Sequence, residues 1–140
     1  MAGRKSDRFV RNADSKHLGI PFAFASALRC ALQGIRHTFS TQRNLKIQAV
    51  FAVLAVVLGV LLSITGTQWA LIVLCIALVF ATECMNTAIE ALVDLVSPEY
   101  HTLAKVAKDC AAGAVLLCSV ASLVVAAVVF IPPILELVNA

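Results

Sequence analysis

A long uncharged stretch separates Lys46 from Glu83, and it constrains the fold of this chain more than any other feature. The stretch is long enough for two passes through a bilayer core, since a spanning helix needs about 20 apolar residues. The polar group TGTQ at 65–68 interrupts it and supplies a turn between the two passes. Because 61% of the 140 residues are hydrophobic and only 14% are charged, a soluble domain of this size could not bury the apolar surface. The sequence therefore predicts an all-α membrane protein.

The N-terminal part of the chain precedes the apolar stretch. Residues 1–20 are basic and lack apolar periodicity, which indicates a disordered cytoplasmic tail. Pro21 suits the first turn of a helix over 21–42. In this segment apolar residues recur every three or four positions, and Arg29 and Arg36 flank the apolar stripe. This pattern favours a helix lying in the membrane interface, with its arginines reaching lipid phosphates. The alternative is a soluble helix packed on the same protein.

A single domain over 21–131 is predicted to contain the interfacial helix and three transmembrane helices. The spans are expected at about 47–64, 69–95 and 104–130. Pro98 disfavours helix at Ser97 and places a loop at 96–103. Pro132 and Pro133 are expected to stop the third span, which leaves a short C-terminal tail at 132–140.

The distribution of charge predicts how the chain is oriented. Nine of the eleven Lys and Arg residues precede the first apolar run, so the N-terminus is expected in the cytoplasm. Three spans then bring the carboxylates at 83, 90, 94 and 109 to the cytoplasmic ends of the second and third spans. The five cysteines form no CxxC pair and no metal-ligand spacing with histidine, so neither a disulfide framework nor a zinc site is expected.

A polar stripe ends the second predicted span. At 100° per residue, Glu83, Asn86, Glu90 and Asp94 fall within about 80° of one another on one helix face. Glu83 lies roughly 21 Å from Trp69 along the helix, inside the cytoplasmic edge of the bilayer core. A lone carboxylate at that depth is costly unless it is paired, protonated or facing a wet cavity, and such a group suits proton acceptance.

The stripe continues from the membrane into water, where its chemistry changes. Glu90 and Asp94 lie closer to water and offer oxygen ligands to a hard cation such as Mg²⁺. Across the loop, Lys105 and Lys108 can neutralise phosphate oxygens. Purely structural interpretations of these residues are the alternative. Asp94 could be a solvated charge at the helix end, and Lys105 and Asp109 could form an intrahelical ion pair. Lys108 could pair with Asp94 or extend its amine toward the interface, and Asn86 could hydrogen-bond between helices.

Three helices cannot easily enclose such a stripe, and small residues on the third span permit close helix packing. Together these features favour a homo-oligomer with sites between protomers. The chain contains no G-x-x-x-x-G-K-[ST] motif, so any nucleotide must be held without a P-loop. Two other classes of function remain as alternatives, a proton-coupled transporter or channel subunit and a structural membrane scaffold.

Three stretches of the chain resemble the small integral-membrane lipid kinases, the prokaryotic diacylglycerol kinase and undecaprenol kinase family. They are ECMNTAIEALVDL (83–95), SPEYHTLAKVAKDCAAGAVL (97–116) and, more weakly, ALQGIRHTFSTQRNLKIQ (31–48). The resemblance covers residues 22–131. It implies a homotrimer in the bacterial inner cell membrane, with an interfacial helix and three spans per subunit. It also implies Mg²⁺-dependent transfer of the ATP γ-phosphoryl group to a lipid alcohol, and no nucleic-acid partner.

The resemblance also implies roles for individual residues. Glu83 matches the general base of the family and Asn86 the polar residue beside it, while Glu90 matches a metal ligand. Lys108 and Asp109 match nucleotide-contacting positions. The loop that approaches the nucleotide contains Glu99, Tyr100 and His101.

The sequence departs from the family pattern just before the first span. The family commonly has an E-x-N-x-(R/K)-I-H stretch there, whose carboxylate contributes to metal binding. This chain has Gln42 at the carboxylate position and Gln48 at the histidine position. A glutamine carbonyl can still ligate a hard cation, but it brings no charge. Within the family, 94–116 and the FIPPIL ending are more similar to the undecaprenol kinases, so undecaprenol is the predicted substrate and diacylglycerol the alternative.

Overall fold

The computed structural model describes residues 24–139, and the tail predicted at 1–20 lies outside them. Residues 24–33 belong to a first unit of the chain, in which they form the beginning of a helix. Residues 34–139 belong to the second unit, which contains the rest of that helix and the three helices that follow. The helices are α1 (Phe24–Thr41), α2 (Arg43–Leu61), α3 (Gly66–Val96) and α4 (Thr102–Val138), and the described residues contain no strand.

Three of these helices are membrane spans by length and composition. Each of α2, α3 and α4 is long and apolar enough to cross a bilayer. Most of their large apolar side chains are exposed, among them Val53 (64%) and Leu117 (73%). Such exposure is expected where the surrounding solvent is lipid. The protein is therefore an all-α, multi-pass membrane protein, as predicted. The helix at 24–41 is also present, and its interfacial placement stays a prediction.

The turn between α2 and α3 shows why the first two spans are separate helices. Thr65 caps α3, since its hydroxyl accepts a hydrogen bond from the Gln68 N–H and the Gln68 side-chain oxygen accepts one from the Thr65 N–H. This capping box satisfies two backbone donors that a helix start leaves free. Nearby, Ile64, Ile72, Val129 and Phe130 form a buried apolar cluster that joins the turn to α4.

The predicted end of the third span is wrong. The helix α4 continues through Pro132 and Pro133 to Val138, where the prediction ended it at Phe130. A proline removes one backbone hydrogen bond, but its ring holds φ near the helical value, and spanning helices accommodate it by small local adjustments. The helix therefore passes over the two prolines, and 134–138 are helical.

Packing of α3 against α4 positions the polar residues. The helices α3 and α4 make the most extensive interhelical contact, and α2 packs against both of them. The end of α1 also contacts α3, where the rings of Phe39 and Phe80 meet edge to face with centroids 5.8 Å apart. Between these helices lie three buried polar residues of α3: Glu83, Asn86 and Thr87.

Candidate active site

Glu83 is the most deeply buried charged residue of the described chain, with 2% of its surface exposed. Its carboxylate Oε1 accepts a hydrogen bond from Gln48 Nε2 on α2 at 2.9 Å. One turn later, the Thr87 hydroxyl donates to the Glu83 backbone carbonyl at 2.9 Å. A buried carboxylate requires hydrogen-bond partners. The amide of Gln48 is such a partner, and it stabilises Glu83 in its buried position between the helices.

A second carboxylate, Glu90, lies about two turns further along the same face. Glu90 Oε1 accepts a hydrogen bond from Asn86 Nδ2 at 3.0 Å, and Glu90 Oε2 accepts one from Gln42 Nε2 at 2.9 Å. Asn86 is itself 8% exposed. Gln42 is the N-cap residue of α2, at the break between α1 and α2, and from there its side-chain amide contacts Glu90. Glu83 and Glu90 thus have separate amide partners on α2 and its N-cap.

Two neighbouring cavities share lining residues on α2 and α4, and one of them contains Glu83. A polar cavity of about 210 Å³ is lined by Glu83, Asn86, Gln48 and Asn44, together with Ala112, Val115, Leu116 and Ser119 of α4. An apolar cavity of about 360 Å³ extends between α2, α3 and α4. Gln48 and Ser119 line both cavities. The two cavities therefore have walls in common, and the polar one contains Glu83.

A third cavity, of about 430 Å³, lies at the loop between α3 and α4. Its lining includes three predicted loop residues and both members of two ion pairs: Asp94, Glu99, Tyr100, His101, Lys105, Lys108 and Asp109. Lys105 pairs with Asp109 one turn away, and Lys108 of α4 pairs with Asp94 of α3. His101 caps α4, since its Nδ1 accepts a hydrogen bond from the Leu103 N–H at 3.2 Å. This cavity is lined by charged side chains of both signs, and each of its two lysines is paired with an aspartate.

The structure decides several alternatives that the sequence left open. Lys105–Asp109 is an intrahelical pair, and Lys108 pairs with Asp94. The side-chain hydrogen bond of Asn86 runs along α3 to Glu90. The argument that three helices cannot enclose the stripe is wrong for Glu83 and Asn86, because the helices of one chain already bury both. The homo-oligomer therefore stays a prediction that no longer depends on that argument.

Sequence reasoning missed three residues of the site. Gln48 was noted only as a departure from a family pattern, and Asn44 and Ser119 were not identified at all. A signal existed for each. Gln48 is an amide at the start of a long uncharged, apolar run, and Ser119 lies eleven residues after Lys108, which places Lys108 and Ser119 on one face of α4. Asn44 follows Gln42 by two residues, within the first turn of α2.

A magnesium ion, which the family implies, needs oxygen ligands, and the donor set at Glu90 meets that requirement. Carboxylate and amide oxygens bind hard cations, and Mg²⁺ commonly takes one or two carboxylates together with phosphate oxygens. Within residues 24–139 no three His, Cys, Asp or Glu side chains converge. The side-chain amides that contact Glu90 are those of Gln42 and Asn86. At present both Glu90 oxygens accept amide hydrogens. Gln42 would have to turn its carbonyl oxygen toward the ion.

Comparison with known proteins agrees with these features. The model of the prokaryotic diacylglycerol kinases matches residues 29–130. A diacylglycerol kinase of Synechocystis sp. is 42% identical over 112 residues, which cover 79% of this chain and 64% of that protein, less than two thirds of its length. An undecaprenol kinase of Bacillus subtilis is 40% identical over 100 residues, covering 71% of this chain and 81% of that protein. A diacylglycerol kinase of Escherichia coli is 32% identical over 92 residues, covering 66% and 75%. The chain belongs to the prokaryotic diacylglycerol kinase family.

Proposed function

We propose that this protein is an ATP-dependent lipid kinase that transfers the γ-phosphoryl group to the hydroxyl of undecaprenol, giving undecaprenyl phosphate. One observation carries the proposal: a buried carboxylate, Glu83, lines a polar cavity that shares Gln48 and Ser119 with an apolar cavity between the spans. A lipid alcohol needs both spaces, since its chain requires apolar lining and its hydroxyl requires a proton acceptor. Membership of a kinase family supports the choice of reaction.

Glu83 acts as the general base in this proposal. The lipid hydroxyl donates its hydrogen bond to the carboxylate, and Glu83 takes the proton as the lipid oxygen forms its bond to the γ-phosphorus. The bond between the γ-phosphorus and the oxygen bridging to the β-phosphate breaks, and ADP leaves with that electron pair. Burial of Glu83 among the helices keeps bulk water away from the acceptor position, which disfavours hydrolysis of ATP.

The nucleotide is assigned to the cytoplasmic end of the stripe. Glu90 and Gln42 would hold Mg²⁺, which neutralises charge on the phosphates when it is bound. Lys108 and Asp109 are proposed as nucleotide contacts, and the loop residues Glu99, Tyr100 and His101 border the same cavity. The proposal places the protein in the bacterial inner cell membrane as a homotrimer, with its N-terminus in the cytoplasm.

Two observations support undecaprenol over diacylglycerol. One relative, the Bacillus subtilis protein, is named an undecaprenol kinase. In addition, the polar residues on the apolar cavity are few among the described residues: Gln48, Ser119 and Ser122. The Ser122 hydroxyl already donates to the Cys118 carbonyl. A diacylglycerol would bring two ester carbonyls that need donors near its hydroxyl, whereas a prenol brings none. The Synechocystis relative is named a diacylglycerol kinase, so that lipid remains the alternative.

The test is a transfer assay with the purified protein in lipid nanodiscs, using labelled ATP and Mg²⁺. Undecaprenol and diacylglycerol are offered separately, and Glu83→Gln is assayed beside the wild type. We expect label mainly on the prenol and a loss of at least about 100-fold in kcat for Glu83→Gln, the usual contribution of a general base. Preferential labelling of diacylglycerol would overturn the substrate. Acid-driven flux across proteoliposomes without any ATP-dependent labelling would favour the transporter class instead.

A further inference from the structure

Gln48 is placed where a residue can act on Glu83 and on a bound alcohol together. It lies near the start of α2, with its Nε2 donating to Glu83 Oε1 at 2.9 Å. Within residues 24–139 this is the only side-chain hydrogen bond made to the Glu83 carboxylate, so the second oxygen, Oε2, keeps its lone pairs free. Gln48 also lines both the polar and the apolar cavity. An alcohol whose chain occupies the apolar cavity would therefore bring its hydroxyl past Gln48.

We propose that Gln48 is a positioning residue that fixes the Glu83 carboxylate by one hydrogen bond and thereby aims its free oxygen at the lipid hydroxyl. The inference rests on the proposed function and adds to it a residue that acts through the base. An amide suits this task because it neither gives up nor takes a proton near neutral pH, so it cannot compete with Glu83 for the proton of the alcohol. A carboxylate held by one donor also loses rotamer freedom, and small misplacements of a base are costly in rate.

Two unfilled acceptors point independently to a ligand in the same cavity. Gln48 Oε1 and Asn86 Oδ1 are buried, and neither has a hydrogen-bond partner among the described residues. Both residues line the polar cavity beside Glu83. Only 8% of the Asn86 surface is exposed, so this residue is more than nine-tenths buried. Buried acceptors are rarely left without donors in folded proteins. A hydroxyl group, alone or with an accompanying water, supplies the donors that this cavity lacks.

The first experiment compares Gln48→Met with Gln48→His in the lipid-alcohol assay. Methionine keeps the length of the side chain and removes the donor, whereas a histidine ring N–H can still donate to Glu83. We expect kcat to fall about 10- to 100-fold in Gln48→Met, as for other misplaced catalytic groups. The KM for ATP should stay within twofold of the wild type, and Gln48→His should recover most of the lost kcat. Gln33→Met, the same change at an exposed position of α1, serves as the matched control and should leave kcat unchanged.

A second experiment separates positioning from a general effect on folding. In a Glu83→Gln background there is no base to position, so Gln48→Met should lower the residual rate less than twofold further. An equal loss in both backgrounds would overturn the proposal. If Gln48→Met unfolds, Gln48→Asn replaces it, because the shorter amide withdraws its donor from Glu83 without removing polarity. A folded Gln48→Asn with wild-type kcat would contradict the inference.

The inference and the proposed function fail in different ways. A wild-type protein that phosphorylates no lipid alcohol would overturn both. A wild type that is active and a Glu83→Gln that is inactive, together with a Gln48→Met that keeps its kcat within twofold, would overturn the role of Gln48 alone.

Discussion

Glu90 differs from Glu83 in how fully its oxygens are occupied. Both Glu90 oxygens accept amide hydrogens, one from Gln42 and one from Asn86, whereas the side chains of residues 24–139 engage only one oxygen of Glu83. An amide N–H next to a carboxylate stabilises it in the same way as a cation does, but far more weakly. If Mg²⁺ binds at Glu90 as proposed, it must displace the hydrogen bond from Gln42.

The substitution Gln42→Glu tests this competition. A second carboxylate would remove the donor from Glu90 and add a negative charge, so we expect the Mg²⁺ concentration for half-maximal activity to fall about tenfold, equivalent to about 1.4 kcal/mol. Without metal the two carboxylates repel each other, so the variant should unfold at a lower temperature than the wild type. Thermal unfolding in nanodiscs, with and without Mg²⁺, measures this independently of activity.

The control for that experiment is Gln33→Glu, which adds the same charge at an exposed position of α1. Its unfolding temperature should not gain a dependence on Mg²⁺. An unchanged Mg²⁺ requirement in Gln42→Glu would show that residue 42 does not face the metal, and the assignment of Gln42 as a ligand would then be withdrawn.

Among the elements, α2 and α3 approach each other closely beside the turn that joins them. A Cβ placed on Gly59 would lie 2.9 Å from Trp69 Cη2 and 3.0 Å from Ile64 Cδ1, so α2 approaches the indole too closely for any larger residue. We expect Gly59→Ala to destabilise the protein by about 1 kcal/mol, because overpacking outweighs the better helix propensity of alanine. Trp69 is the sole tryptophan of the chain, so a shift of its fluorescence emission reports the displaced ring.

Gly66 is the matched control, since a Cβ there meets nothing within 4 Å among the described residues. Gly66→Ala should be neutral or stabilising by up to about 1 kcal/mol, with unchanged emission from Trp69. If both alanine variants behaved alike, the contact between Gly59 and the indole would not limit the packing of α2 on α3.

The elements themselves were largely predictable, and the reasons are physical. Apolar runs of spanning length and the polar break at 65–68 are local signals, and they located α2 and α3 to within a few residues. The end of α4 was not predictable from Pro132 and Pro133, because the cost of a proline in a helix depends on what surrounds it. In the site, the face shared by Glu83, Asn86 and Glu90 followed from helical spacing alone. Their partners Gln48 and Gln42 did not, since contacts across 35 and 48 residues depend on how α2 packs against α3.

At the scale of the whole molecule, the position of Lys108 raises the question of whether it acts in the site of its own chain or in that of a neighbouring chain. Lys108 pairs with Asp94, which follows Glu83 by eleven residues, roughly 16 Å along α3. The Lys108 ammonium lies at Asp94, away from the position of a phosphate placed beside Glu83. The base and the lysine of one chain therefore face different stretches of the stripe. In a closed ring of identical subunits, a base and a lysine from neighbouring chains can instead meet at each interface.

Mixing two inactive variants tests this arrangement. Glu83→Gln lacks the base but keeps Lys108, and Lys108→Met lacks the lysine but keeps Glu83. We expect each alone to be inactive, and oligomers refolded from an equal mixture to regain about a quarter of wild-type kcat, since at random assembly one interface in four receives both intact groups. Combining the two preparations after assembly, without exchange of subunits, should give no recovery. Activity that stays absent in the co-refolded mixture would place Glu83 and Lys108 in the site of a single chain, with the nucleotide lying along the stripe between them.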